Sequence, residues 1–162
     1  MTVVSATPDT DNLTLTIVTE FTADPERVWR LWSDPRRLER WWGPPAWPAT
    51  FTALDLRPGG RAAYYMTGPG GEKAGGWWEF VTVDGPHALS FDDGFARDDG
   101  TPDPAMPVTR AEVDITGAAS GSRMTIRSRF ADTEQMRRLV DMGMLEGMSE
   151  ALGQIDAILA ED

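Results

Sequence analysis

The last thirty residues restrict the possible folds more than any other segment. Met136, Leu139, Val140, Gly143, Met144, Gly147, Met148, Ala151, Leu152, Ile155 and Leu159 recur at three-and-four spacing. This predicts an amphipathic helix of about 27 residues, about 40 Å long at 1.5 Å per residue. Asp132-Thr133-Glu134 supplies its cap. Such a helix cannot bury its apolar stripe alone. The nearest partner is a sheet, because the middle of the chain reads as strands.

From Phe51 to Phe130 short strand-like runs are separated by turn signals. The runs are 50–56, 61–66, 75–83, 87–91, 105–116 and 123–130. Pro58-Gly59-Gly60, Gly68-Pro69-Gly70-Gly71, Asp84-Gly85-Pro86 and residues 117–121 divide them. Residues 92–104 carry two Asp-Asp-Gly triplets and two prolines. They read as a solvated polar loop, long enough to fold over a cavity. Before this region Leu13, Leu15 and Ile17 alternate as a strand. Asp24-Pro25 and Asp34-Pro35 then cap two short helices, with Pro at the first helical position. Residues 1–11 read as a flexible arm, and 12–162 as one domain. The result is an α+β domain, with a curved antiparallel sheet of about seven strands wrapped on a long C-terminal helix.

Composition excludes several functions. The chain has 162 residues, no cysteine and a net charge of −11. Disulfides, a thiolate nucleophile and Cys-based zinc sites are ruled out. The negative charge disfavours nucleic acid and anionic membrane surfaces as partners. No run of 18 apolar residues reads as a membrane span, and the N-terminus lacks a secretory pattern. The cytoplasm is the expected location. The lone histidine, His87, stands at a turn and reads as a surface residue, so a Ser-His or Cys-His nucleophile pair has almost nothing to build on. No metal site is expected, because the Asp-Asp-Gly segments lack the closing Glu of a calcium loop. No cofactor and no catalytic residue is assigned. Glu79, Glu112 and Asp114 lie on predicted strands without a distinctive spacing. Arg61, Arg110, Arg127 and Arg129 are expected to point outward.

Several strings resemble a known family. They are Phe21-Thr22-Ala23-Asp24-Pro25-Glu26-Arg27-Val28-Trp29, Ser33-Asp34-Pro35 through Trp41-Trp42, and Leu56-Arg57-Pro58-Gly59-Gly60. Gly76-Trp77 through Leu89 and Gly147-Met148 through Leu159 complete the pattern, with Met148 where members often carry Trp. Together they resemble the family named for activators of the heat-shock-protein-90 ATPase, within the START/Bet v I-like superfamily. The resemblance spans roughly residues 13–160. It implies a helix-grip fold with a cavity between sheet and helix, where relatives hold apolar molecules. It also implies a chaperone partner, although the eukaryotic co-chaperones carry a further N-terminal domain for which residues 1–11 are too short.

The expected role is non-enzymatic binding of an apolar or aromatic small molecule. Large aromatics and adaptable methionines suit such a pocket. The candidate lining is Trp41, Trp42, Trp47, Tyr64, Met66 and Trp78, with Phe80, Phe91, Met136, Val140, Met144 and Met148. Trp77 and Trp78 must face opposite sides of a strand. Either Tyr64 or Tyr65 should face inward as a hydrogen-bond donor. Gly143 and Gly147 are expected either to admit a close neighbour to the helix or to leave room for a ligand. A cavity enzyme using Tyr and carboxylates is one alternative. A protein-interaction module using the acidic face with Glu146 and Glu150 is another. Aromatic residues at 41–47 suggest a homodimer contact.

Overall fold

The computed structural model describes residues 2–161. Eight antiparallel strands form one sheet in the order β1-β2-β8-β7-β6-β5-β4-β3. They are β1 (Thr2–Asp9), β2 (Thr14–Phe21), β3 (Ala49–Leu54), β4 (Arg61–Thr67), β5 (Lys73–Asp84), β6 (Ala88–Ala96), β7 (Thr109–Ala118) and β8 (Gly121–Arg129). Helices α1 (Pro25–Ser33) and α2 (Pro35–Trp41) connect β2 to β3. After β8 come α3 (Thr133–Asp141), α4 (Met144–Leu152) and α5 (Ile155–Leu159).

The eighth strand is the segment expected to be a flexible arm. β1 pairs with β2 from Thr2↔Glu20 to Asp9↔Thr14. The hairpin is made by polar residues that also read as a disordered end. The Asp9 carboxylate accepts from the backbone N–H of Asp11 and of Asn12, both at 3.1 Å, and from Asn12 Nδ2 at 2.7 Å. This turn brings Thr2, Val3 and Val4, good strand formers, alongside β2. Val3 packs on the core. Met1 lies outside the described residues.

The short helices start where their caps predict. The Asp24 side chain accepts from Arg27 N and that of Asp34 from Arg36 N, each at 2.9 Å. Asp132 caps α3 in the same way at 2.7 Å, while Gln135 Oε1 accepts from Ala131 N at 2.8 Å.

The single long C-terminal helix is not observed. Gly143 adopts φ 91°, a left-handed conformation that ends α3 and starts α4. Glycine takes this conformation without a Cβ clash. A second interruption at Gly153 separates α5. The apolar stripe survives both breaks, because all three segments pack the same residues inward. Ile155, Ile158 and Leu159 of α5 are buried. Gln154 Nε2 donates to Gly43 O at 2.6 Å, and Arg27 Nη2 donates to Leu159 O at 2.6 Å. These bonds tie the C-terminal segment to the α1–α2 region.

Between sheet and helices lies an aromatic core. Trp32 meets Trp41 edge-on at 4.8 Å, and Trp78 stacks on Phe91 at 4.2 Å. Trp32 Nε1 donates to Met124 Sδ at 3.3 Å, and Trp41 Nε1 to Leu31 O at 2.9 Å. A smaller cluster of Leu15, Phe130, Met136 and Leu139 closes one end.

Candidate functional site

A cavity of about 330 Å³ lies between the sheet and α3–α4. That is near the lower end for small-molecule sites, large enough for a two-ring compound. One wall carries Trp41, Trp42, Tyr64, Met66 and Phe91; another carries Met144, Gly147, Met148, Ala151 and Leu152. Seven of the twelve expected residues therefore meet here: Trp41, Trp42, Tyr64, Met66, Phe91, Met144 and Met148.

The other five lie elsewhere. Trp78 and Phe80 face inward on β5 but are wholly covered by the aromatic core behind the cavity. Met136 belongs to the smaller cluster, and Val140 packs against it. Trp47 covers Gly68 in the neighbouring turn. In each case the apolar type was right, but the side chain has a packed neighbour where the cavity was expected. Trp77 takes the outward phase, and its indole donates to Phe95 O at 3.1 Å. Trp41 and Trp42 turn inward, so the aromatic surface expected at residues 41–47 retains only Trp47.

Gly147 follows the second of its two readings, the one that leaves room. No atom lies within 4 Å of the place a Cβ would occupy. The residue leaves space in the cavity and admits no close neighbour. The loop at 97–108 contributes Pro107 to the wall. Its Met106 Sδ accepts from Arg138 Nη2 of α3 at 3.3 Å.

The main residue missed from the sequence is Asp93. The region 92–104 was expected to be a solvated loop from its first residue, yet β6 continues through it to Ala96. Asp92 points outward to Arg110 at 2.6 Å. Asp93, opposite Trp78 in the register, lines the cavity. Leu89, Phe91 and Asp93 share one phase at two-residue spacing, and that spacing was the available signal. The turn preference of Asp-Asp-Gly obscured it. Gly94 is accommodated in the strand because Trp77 lies over it, 2.4 Å from a hypothetical Cβ.

Asp93 has no cationic partner on the wall. Its only ionisable companion there is Tyr64. Burial raises the Asp93 carboxyl from its ordinary 3.8 to about 7, opposed by the Trp78 indole and the Tyr64 hydroxyl acting as donors. Burial and the Asp93 charge together push Tyr64 well above the ordinary phenol value, with the Trp42 and Trp78 indoles opposing the rise. Neither of those buried indole N–H groups closes a hydrogen bond of good geometry. The cavity is therefore apolar with one polar pole.

Tyr64 is held there by a glycine. Its partner across the sheet is Gly76. A Cβ on Gly76 would lie 2.2 Å from Tyr64 Cζ and 2.3 Å from its hydroxyl oxygen. The ring stacks on Phe51 at 4.9 Å and meets Trp42 at 6.2 Å, so it has no room to retreat. Gly76→Ala is expected to cost about 1–3 kcal/mol through overpacking. Urea denaturation checks this as a lower midpoint at unchanged slope.

The other carboxylates weighed from sequence point to solvent. Glu112 pairs with Arg129 at 2.5 Å and Glu79 with Arg61 at 3.7 Å, while Asp114 is exposed. Tyr65 lies on the outer face beneath the Lys73 ammonium, 4.4 Å from its ring centroid. Among the described residues no group of three or more His, Cys, Asp or Glu side chains is arranged to hold a metal. No helix among them is long and apolar enough to cross a membrane.

A curved antiparallel sheet closed by C-terminal helices over an internal cavity defines the helix-grip class of α+β proteins. The family model described as "Activator of Hsp90 ATPase homolog 1-like protein" matches residues 22–160, and the chain belongs to that family. Its fold is close to the solution structure of an Arthrobacter aurescens protein, with 54% identity and a TM-score of 0.94 over 99% of this chain and 94% of the other. A Mycobacterium smegmatis protein is 47% identical, with a TM-score of 0.90 over 98% and 97% of the two chains. A Rhodobacter sphaeroides protein at 22% identity, covering 98% and 99% of the two chains, shares the fold with a TM-score of 0.84. No protein of curated function matches the chain.

Proposed function

We propose that this protein binds an apolar, ring-containing small molecule in the cavity between the sheet and α3–α4. The observation that carries the reading is the space itself. Protein interiors are close-packed, and a void of about 330 Å³ beside a fully packed aromatic core is not a packing residue. Burial against Trp42, Phe91, Met144 and Met148 supplies affinity at roughly 25 cal/mol per Å², before ordering costs. The thioethers adapt to the shape of the guest.

Thermal unfolding against a panel of aromatic metabolites tests the reading. A ligand at 100 times its Kd adds about 2.7 kcal/mol. At about 2–4 °C per kcal/mol, the midpoint rises by roughly 5–11 °C. Gly147→Leu, which fills open space on α4, is expected to abolish that rise while leaving the unliganded midpoint unchanged or higher. Glycine costs a helix interior about 1 kcal/mol. A panel with no hit, or a hit that Gly147→Leu binds equally well, contradicts the reading. One observation favours a second reading, a cavity enzyme: a carboxyl titrating near neutrality is suited to proton transfer. Conversion of a bound hit, followed by mass spectrometry, separates the two.

A further inference from the structure

We infer that the cavity takes up its guest together with a proton: a neutral apolar guest that fills it brings Asp93 into the protonated form, and affinity falls as pH rises. This rests on the binding reading above and names how that same site is regulated.

Three observations converge. First, Asp93 is fixed to the wall by its strand. β6 is an inner strand, and Asp93 pairs with Trp78 of β5 on one side and Thr109 of β7 on the other. Its neighbour Asp92 takes the outer phase and meets Arg110, whereas Asp93 lines the cavity. Second, the groups that meet the carboxyl are neutral. The Tyr64 hydroxyl of β4 and the Trp78 indole of β5 are its donors, and the Trp42 indole faces the Tyr64 oxygen. Tyr64 keeps its own proton, because its pKa is raised. β7 and β8 contribute Thr109, Ala111, Ile126 and Ser128 to the wall, and the residues of α3 and α4 that line it carry no charge. Arg138 of α3 turns instead to Met106. Neutral donors lower the cost of a buried carboxylate without cancelling its charge. Third, the rest of the wall is almost wholly apolar. A guest matched to it brings no counter-charge and displaces solvent from the space that Asp93 borders. Removing solvent from beside a carboxyl disfavours its charged form. Burial by the protein already raises Asp93 to about 7, so a further rise on binding falls within the range where the group is part ionised. A group with a higher pKa in the bound state takes up a proton on binding, and affinity is then greatest at low pH. A guest bearing an ammonium would act in the opposite sense, because it would pair with the carboxylate.

Isothermal titration calorimetry with 2-methoxynaphthalene, a two-ring probe without an ionisable group, tests this from pH 5.5 to 8.5. The full chain is expected to bind the probe at least about fivefold more weakly at the upper limit than at the lower, against a ceiling of about tenfold per pH unit for one proton. At pH 7.5, titrations in phosphate and in Tris, whose ionisation enthalpies differ, should give different heats that correspond to net proton uptake. Asp93→Asn, which keeps the shape and cannot ionise, is expected to bind the probe equally well across the range and to show no buffer-dependent heat. If circular dichroism shows that variant unfolded, the two-buffer comparison on the native chain carries the test. Binding by the native chain that is flat with pH, that strengthens as pH rises, or that takes up no proton overturns the inference and leaves the binding reading standing. A slope that survives in Asp93→Asn overturns it as well, because another group then carries the proton. If the probe does not bind at any pH, the cavity does not take two-ring guests, and the inference falls together with the reading on which it rests.

Discussion

Trp78→Ala is expected to lower stability by about 3–5 kcal/mol, the range for deleting a large aromatic from a packed core. In a chain of this length the melting temperature falls by roughly 6–20 °C. Trp78 is 0% exposed and sits at the hub of the aromatic core. Its ring stacks on Phe91 at 4.2 Å and meets Trp42 edge-on at 4.7 Å and Phe51 at 5.3 Å. These neighbours belong to separate elements, so they cannot collapse together into the void. Trp78→Phe provides the control. It keeps a ring in place and removes an indole N–H that lacks a good partner. The expected cost is less than about 1.5 kcal/mol. A similar loss for both variants would show that the second ring, rather than the hub position, carries the stability.

The second large effect depends on pH. Asp93 is raised from 3.8 to about 7, so the folded chain keeps a proton that the unfolded chain has released. Where the folded state binds more protons, stability falls as pH rises. The contribution is fully present below about pH 4 and is lost progressively up to about pH 7. Roughly three pK units correspond to about 4 kcal/mol at most. Asp93→Asn cannot ionise and should flatten this slope. The variant is expected to match the native chain near pH 4 and to exceed it by about 1–4 kcal/mol at pH 8, measured by urea denaturation across the range. Tyr64, the other ionisable group on the wall, stays protonated throughout because its own pKa is raised. An unchanged slope in the variant would assign the pH dependence to surface carboxylates. Asp9 and Asp99, both lowered by their turn hydrogen bonds, act in the opposite sense at lower pH.

The acidic C-terminal face is a separate matter. Glu146 and Glu150 are exposed on α4, as a solvated helix face requires. Reversing both charges should leave ligand binding in the cavity intact, which titration of any hit can check.

The features determined by the sequence alone are local. Asp24-Pro25, Asp34-Pro35 and Asp132 fix three helix starts, because a cap needs only its own side chain and the next turn of backbone. Turn residues and period-two alternation place β3, β4, β5 and β8 close to their observed positions, and the amphipathic spacing of the last thirty residues requires a sheet to cover it. Tertiary structure decided the rest. Residues 2–9 could be an arm or an edge strand until β2 offered them a partner. Gly143 could continue a helix or break it, and it took the left-handed conformation at the junction of α3 and α4. Asp93 changed from loop to cavity wall because β6 continued pairing with β5 and Trp77 covered Gly94. Which of the twelve expected residues met open space and which met a neighbour was likewise set by packing between distant segments. Periodicity assigns a side chain to a face, but only the register of a strand with its partners and the placement of a helix over it determine what that face encloses.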